Sequence, residues 1–152
     1  MPQKETNVGD TAPDFTLKDH HGNDVTLSGL KGKQVVLGFH PLAWTGVCTQ
    51  QMKDLEASAD RMDKLNAVAL GISVDSTPCK KAWAESMGVE KIRLLSDFWP
   101  HGAVAIEYGI FRDEHGTSKR AVLILDDTGK VKFKKIYPIP ERPDIEEIIA
   151  QL

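Results

Sequence analysis

The chain has 152 residues, 41% of them hydrophobic and 27% charged, with a formal net charge of −3 at pH 7. That length suits one domain over residues 1–152 with a substantial core, and the scattered Lys and Arg argue against a cationic face for nucleic acid. No window nears the ~18 apolar residues of a membrane span, and Met1-Pro2-Gln3-Lys4-Glu5 carries no signal-peptide pattern, so a cytoplasmic protein is expected.

In chain order, Phe15–Lys18 and Val25–Leu27 alternate around His21-Gly22-Asn23-Asp24, which predicts an N-terminal β-hairpin. Val35-Val36-Leu37-Gly38-Phe39 reads as a buried strand. Cys48, Met52, Leu55, Ala59 and Met62 then recur at steps of four and three, the core face of a single helix. Val68–Val74 is a second buried strand. Thr77-Pro78 predicts a cap with proline at the first helical position, and Lys80–Met87 continues that helix. Gly102–Tyr108 reads as a short helix. Ala121–Leu125 is a third buried strand, and Asp126-Asp127-Thr128-Gly129 turns it into a fourth over Val131–Tyr137. Ile145, Ile148, Ile149 and Leu152 mark a C-terminal helix entered through Pro138, Pro140 and Pro143. The βαβ portion implies parallel strands with a right-handed crossover, and the late hairpin is antiparallel. The expected fold is therefore α/β and thioredoxin-like: a mixed central sheet flanked by helices, with the N-terminal hairpin as an extension.

Cys48 and Cys79 are the only cysteines, with neither a CxxC pair nor a zinc-type cluster. His20, His21, His40, His101 and His115 show no ligand pattern, so no metal is expected. His20-His21 reads as a polar turn, and His40 as a packed residue at a strand end. Phe98 and Trp99 are either core or a contact between copies of the chain. Thr45 precedes Cys48 by three positions. As N-cap it would accept from the Cys48 N–H and place the thiol in the first turn, where unpaired N–H groups and the helix dipole favour a thiolate. Pro41 would end the strand and shield the sulfur, and Arg120 could supply a cation. The residues alone leave two readings: a reactive thiol, or an inert buried cysteine within a thioredoxin-like interaction domain. A dithiol oxidoreductase is disfavoured, because Thr45 stands where such a motif needs its first cysteine.

Pro41-Leu42-Ala43-Trp44-Thr45-Gly46-Val47-Cys48 resembles the PxxxTxxC motif of peroxiredoxins, with every motif position present. The likeness runs over nearly the whole chain. Gly9-Asp10-Thr11-Ala12-Pro13-Asp14-Phe15 is similar to the start of that family. Leu95–Gly102 with Tyr108-Gly109 looks like its alkyl hydroperoxide reductase E group, with peroxiredoxin Q (bacterioferritin comigratory protein) as a neighbour. The resemblance implies a cofactor-free thiol peroxidase for hydrogen peroxide and organic hydroperoxides. Cys48 would attack the peroxide and become a sulfenic acid, Thr45 would hydrogen-bond the substrate, Pro41 would shield the product, and Arg120 would stabilise the thiolate. A thioredoxin-like, glutaredoxin-like or low-molecular-weight thiol would restore the enzyme, and a homodimer or larger homo-oligomer is implied by analogy.

Cys79 falls in the first turn of its own helix, beside Lys80 and Lys81, so dipole and cations are expected to lower its pKa. Both cysteines follow strands of one βαβ unit and so lie at the same sheet edge. Adjacent strands are ~4.8 Å apart and next neighbours about 10 Å, while a disulfide needs Cα atoms within ~7 Å. Cys79 is thus expected to resolve the sulfenic acid as a disulfide; the alternative is a one-cysteine cycle with an external thiol.

Overall fold

The computed structural model describes residues 3–152. Its first half runs β1 (Thr16–Asp19), β2 (Asp24–Thr26), a 3-10 turn (Leu27–Leu30), β3 (Gln34–Phe39), α1 (Gly46–Ala57), α2 (Ala59–Lys64), β4 (Ala67–Ser73) and α3 (Thr77–Met87). Then follow β5 (Arg93–Ser96), α4 (Ala103–Glu107), β6 (Phe111–Arg112), β7 (Thr117–Ser118), β8 (Arg120–Leu125), β9 (Val131–Tyr137) and α5 (Ile145–Ile149). Seven strands form one mixed sheet in the order β2-β1-β5-β4-β3-β8-β9. β3, β4 and β5 are parallel; β8 returns antiparallel beside β3, and β1 antiparallel beside β5.

Both faces of the central strands are covered. Along β3, Val35, Leu37 and Phe39 join one apolar cluster with Phe15, Ile72 and Tyr108. Val36 joins the other, with Cys48, Met52, Leu55, Trp83 and Ile124. A strand buried on both faces reads as a continuous apolar run rather than an alternation, which is what the sequence of β3 displays. Gly38 and Gly71 are register partners in β3 and β4. A Cβ at Gly71 would lie 2.4 Å from Met52 Sδ, and one at Gly38 3.1 Å from Leu55 Cδ1. The paired glycines thus cut a shallow trough that seats α1 close to the sheet.

Several expectations need correction or narrowing. The helix expected to run from Cys48 through Met62 breaks at Ser58 into α1 and α2, with the Ser58 N–H donating to the carbonyls of Asp54 and Leu55. The cap of α3 is Ser76, not Thr77: its Oγ accepts from the Cys79 N–H at 3.4 Å. β5 is a strand beyond those expected, and it joins β1 to β4, so the N-terminal hairpin extends the central sheet itself. His20 and His21 do lie in the turn after β1, but His20 is 3% exposed and accepts from the Leu94 N–H at Nδ1, so it is a buried bracket on β5 rather than a solvated residue. Phe98 and Trp99 are 50% and 81% exposed, which removes the core reading for both.

Candidate active site

Parallel strands β3 and β4 deliver their carboxyl ends to one edge, and α1 and α3 both start there. A polar bond ties the two helices together: the Trp83 indole N–H, in the second turn of α3, donates to Thr49 Oγ1 in α1 at 3.2 Å. Cys48 lies in the first turn of α1 and is fully buried. Arg120, at the start of β8 and 2% exposed, reaches it from the neighbouring strand. Its Nη1 donates to Cys48 Sγ at 3.4 Å and to Gln51 Oε1 at 2.8 Å, and its Nε donates to the Ile139 carbonyl at 2.9 Å. These bonds hold the guanidinium in one orientation. Its hydrogen-bond partners are neutral groups and the sulfur, so its charge is directed at Cys48 rather than spent on a carboxylate. Arg112, nearby in sequence, instead donates to Thr117 Oγ1.

Thr45 sits at the N-cap position with extended backbone but makes no side-chain cap bond, contrary to expectation. Its hydroxyl donates to the Leu42 carbonyl at 2.8 Å, which leaves both oxygen lone pairs free to accept. The backbone N–H groups of Gly46, Val47 and Cys48 have no intrachain acceptor among the described residues. They are the open donors of a helix start. Pro41 is buried, and a Cβ at Gly46 would meet open space. The arrangement combines a sulfur nucleophile, a fixed cation, an exposed hydroxyl acceptor and free N–H donors within one loop and one helical turn. Those are the groups that an oxygen-transfer step at sulfur needs.

Cys79, at the start of α3, is half-buried, and both thiols are free. Its setting differs from the one expected. Burial first, and then the Asp75 carboxylate, push its thiol pKa up, with a bond from the Trp44 side chain opposing them. Asp75 Oδ1 lies 3.8 Å from Cys79 Sγ. Lys80 does not flank the thiol as a solvent cation. It is fully buried, donating to Ser73 Oγ at 2.7 Å and lying 2.8 Å from His40 Nε2. Burial drives its pKa down to about 7. His40, also fully buried, is held well below the ordinary imidazole value by burial and then by Lys80.

Sequence reasoning missed Gln51 and the role of Lys80. Both carried a signal. Lys80, Trp83, Ala84 and Met87 share one helical stripe at steps of three, four and seven, which places a lysine on the apolar face. Gln51 stands one turn after Cys48, on the side that faces the sheet. A cavity of about 520 Å³ lies at the opposite end of the sheet among Lys33, Asp60, Ala67 and Arg93, and no cysteine lines it. Among the described residues no group of three or more His, Cys, Asp or Glu could hold a metal ion, and no helix is long and apolar enough to cross a membrane.

Comparisons with known proteins identify the family and the fold. The AhpC/TSA family model matches residues 8–134. Alkyl hydroperoxide reductase E of Mycobacterium tuberculosis is 43% identical over 131 residues, covering 86% of this chain and 85% of the relative. Peroxiredoxin-1 of Gallus gallus is 32% identical over 159 residues, covering 98% and 79%. Among solved structures, the reduced 2-Cys peroxiredoxin of Plasmodium vivax superposes with a TM-score of 0.87 at 29% identity, covering 95% of this chain and 79% of the other. The peroxidoxin BcpB of Mycobacterium tuberculosis superposes with a TM-score of 0.86 at 29% identity, covering 97% and 96%. With the family model spanning most of its length and a relative this similar, the chain belongs to the AhpC/TSA family of peroxiredoxins.

Proposed function

We propose that Cys48 and Cys79 divide the two steps of a peroxidase cycle, Cys48 attacking the peroxide and Cys79 resolving the product. The chain is a thiol-dependent peroxidase. The observation that carries the assignment of Cys48 is the Arg120 Nη1 contact with its sulfur, behind the Pro41–Cys48 loop. In the first step the Cys48 thiolate takes the terminal oxygen of ROOH. The S–O bond forms as the O–O bond breaks, sulfur is oxidised to the sulfenic acid, and the departing RO⁻ takes up a proton to leave as ROH. Thr45 accepts a hydrogen bond from the peroxide, and the first-turn N–H groups with Arg120 meet the charge moving onto the leaving oxygen. Pro41 restricts further oxidation. The step draws on these residues alone, without a cofactor.

Cys79 then displaces hydroxide from the sulfenic sulfur, and an external thiol returns the disulfide to two thiols. Such a cycle runs in a reducing compartment, and we place it in the cytoplasm. The reductant is a thioredoxin-like or glutaredoxin-like protein or a small thiol, the working unit is a homodimer or larger homo-oligomer, and residues 1–152 act as one domain. The raised pKa of Cys79 favours a second reading, in which an external thiol attacks the sulfenic acid directly and Cys79 stays reduced. Intact mass and free-thiol count after one equivalent of peroxide separate the two. Loss of two hydrogens with no free thiol supports Cys79 as the resolving group; a sulfenic acid with one free thiol supports the second reading.

A further inference from the structure

A buried hydrogen-bonded chain runs from Cys79 into the core. Cys79 Sγ faces Asp75 Oδ1 at 3.8 Å, and the Ser73 hydroxyl donates to Asp75 Oδ2 at 2.6 Å. Lys80 Nζ donates to Ser73 Oγ at 2.7 Å and lies 2.8 Å from His40 Nε2, and His40 Nδ1 lies 3.2 Å from the Gly38 carbonyl. The geometry gives each link a direction. With Nδ1–H donating to Gly38, His40 Nε2 is an acceptor for Lys80. With Lys80 donating to Ser73 Oγ, the Ser73 proton points at Asp75. Asp75 Oδ2 accepts in addition from the Ala43 N–H at 2.8 Å, so the carboxylate is anchored to the Pro41–Cys48 loop. Its Oδ1 is left to the sulfur. None of the first-step chemistry uses this chain.

We propose that Asp75 is the general base of the resolving step, taking the Cys79 thiol proton as its sulfur attacks the Cys48 sulfenic acid. This rests on the reading of Cys79 as the resolving thiol. The balance is Cys48–SOH plus Cys79–SH giving the disulfide plus water. The Cys79 S–H proton passes to Asp75 Oδ1, the sulfur lone pair forms the S–S bond, and the Cys48 S–O bond breaks. Hydroxide leaves with the bonding pair and is protonated from Asp75. One sulfur is oxidised and the other reduced, with no further reactant. The carboxylate that holds Cys79 protonated at rest is thereby also its proton acceptor. That setting suits a thiol that must wait for the sulfenic acid.

The test is the rate of disulfide formation in wild type and Asp75→Asn, each divided by its own rate of sulfenic acid formation. The asparagine oxygen can keep the bonds from Ala43 and Ser73 while an amide NH2, not a base, faces the sulfur. The ratio is expected to fall at least about tenfold at neutral pH. The defect should close at alkaline pH, where Cys79 ionises to bulk water; a merely structural defect would persist there. An unchanged ratio, or a defect equal at every pH, overturns the role of Asp75. If wild type forms no disulfide, the resolving reading falls and this proposal with it.

Should Asp75→Asn not fold, the wild-type profile decides. Lys80 from α3 acts on Cys79; Cys48 from α1 and His40 after β3 lie in turn beside Lys80, Arg120 from β8 acts on His40, and Lys81 is exposed. His40 stays neutral across the neutral range, and a base already in contact with the thiol needs no prior ionisation of the sulfur. The resolving rate should therefore rise less than about threefold per pH unit; a rise of about tenfold per unit, the mark of prior thiol ionisation, overturns the proposal.

Discussion

The first turns of α1 and α3 start at the same sheet edge, each carries a cysteine at the third helical position, and their electrostatics are opposite. Cys48 is fully buried yet receives Arg120 at 3.4 Å. Cys79 is more open yet faces Asp75 at 3.8 Å, and its thiol is pushed upward. Helix position is thus a weak determinant of thiol behaviour beside one charged group within reach. A dipole contributes roughly 0.3–1 kcal/mol at a helix end, whereas a hydrogen bond to a charged group contributes about 1.5–3 kcal/mol. The caps diverge in the same sense. Ser76 spends its oxygen on the Cys79 N–H, while Thr45 turns its proton to Leu42 and keeps its oxygen for the site.

Removing the charge that separates the two turns should have the largest effect. Arg120→Met is expected to slow sulfenic acid formation about 100-fold, as loss of a positioned donor to a reacting centre does. Stopped-flow fluorescence checks this, with Trp83 as a buried reporter bonded to α1. A rate within threefold of wild type would break the comparison. Next comes the buried cation. Lys80 titrates at about 7 in the fold against 10.5 for a free lysine. Between those values the unfolded chain binds the extra proton, so the Lys80 contribution to stability grows as pH rises through that window and is lost as pH falls through about 7. Lys80→Met should remove that slope. Denaturant midpoints at about pH 6 and about pH 9 measure it, and an identical slope in both proteins would contradict the assignment.

Smaller effects separate the two caps. Thr45→Val should slow the peroxide step about tenfold while leaving the melting temperature within a degree or so, because its oxygen caps nothing in the helix. Ser76→Ala should do the reverse, costing about 0.5–1 kcal/mol of stability without slowing the peroxide step. Thermal melts with single-turnover kinetics on both variants decide whether the division holds.

Much of this was legible in the sequence, for physical reasons. β3, β4 and β8 are buried on both faces, so continuous apolar runs announce them. Arg93-Leu94-Leu95-Ser96 opens on an exposed arginine and buries the other three residues, so it offers neither an alternation nor a long apolar run. The break at Ser58 was hidden because Ala59 and Met62 continue the stripe of α1 onto α2. Cys48, Thr45, Pro41 and Arg120 could be named because a loop motif and a strand start fix their positions. The sign of the Cys79 shift could not be read. It depends on Asp75 closing on the sulfur and on Lys80 turning inward to Ser73 and His40, both of which are tertiary facts.

The most direct measurement is a time-resolved trap. Reduced protein meets one equivalent of peroxide, is quenched at intervals into a sulfenic-acid-specific reagent, and is mapped by peptide mass. The account predicts an early adduct on Cys48 alone, which then disappears as a Cys48–Cys79 disulfide accumulates. An early adduct on Cys79, or a Cys48 adduct that persists while Cys79 remains free, would contradict it.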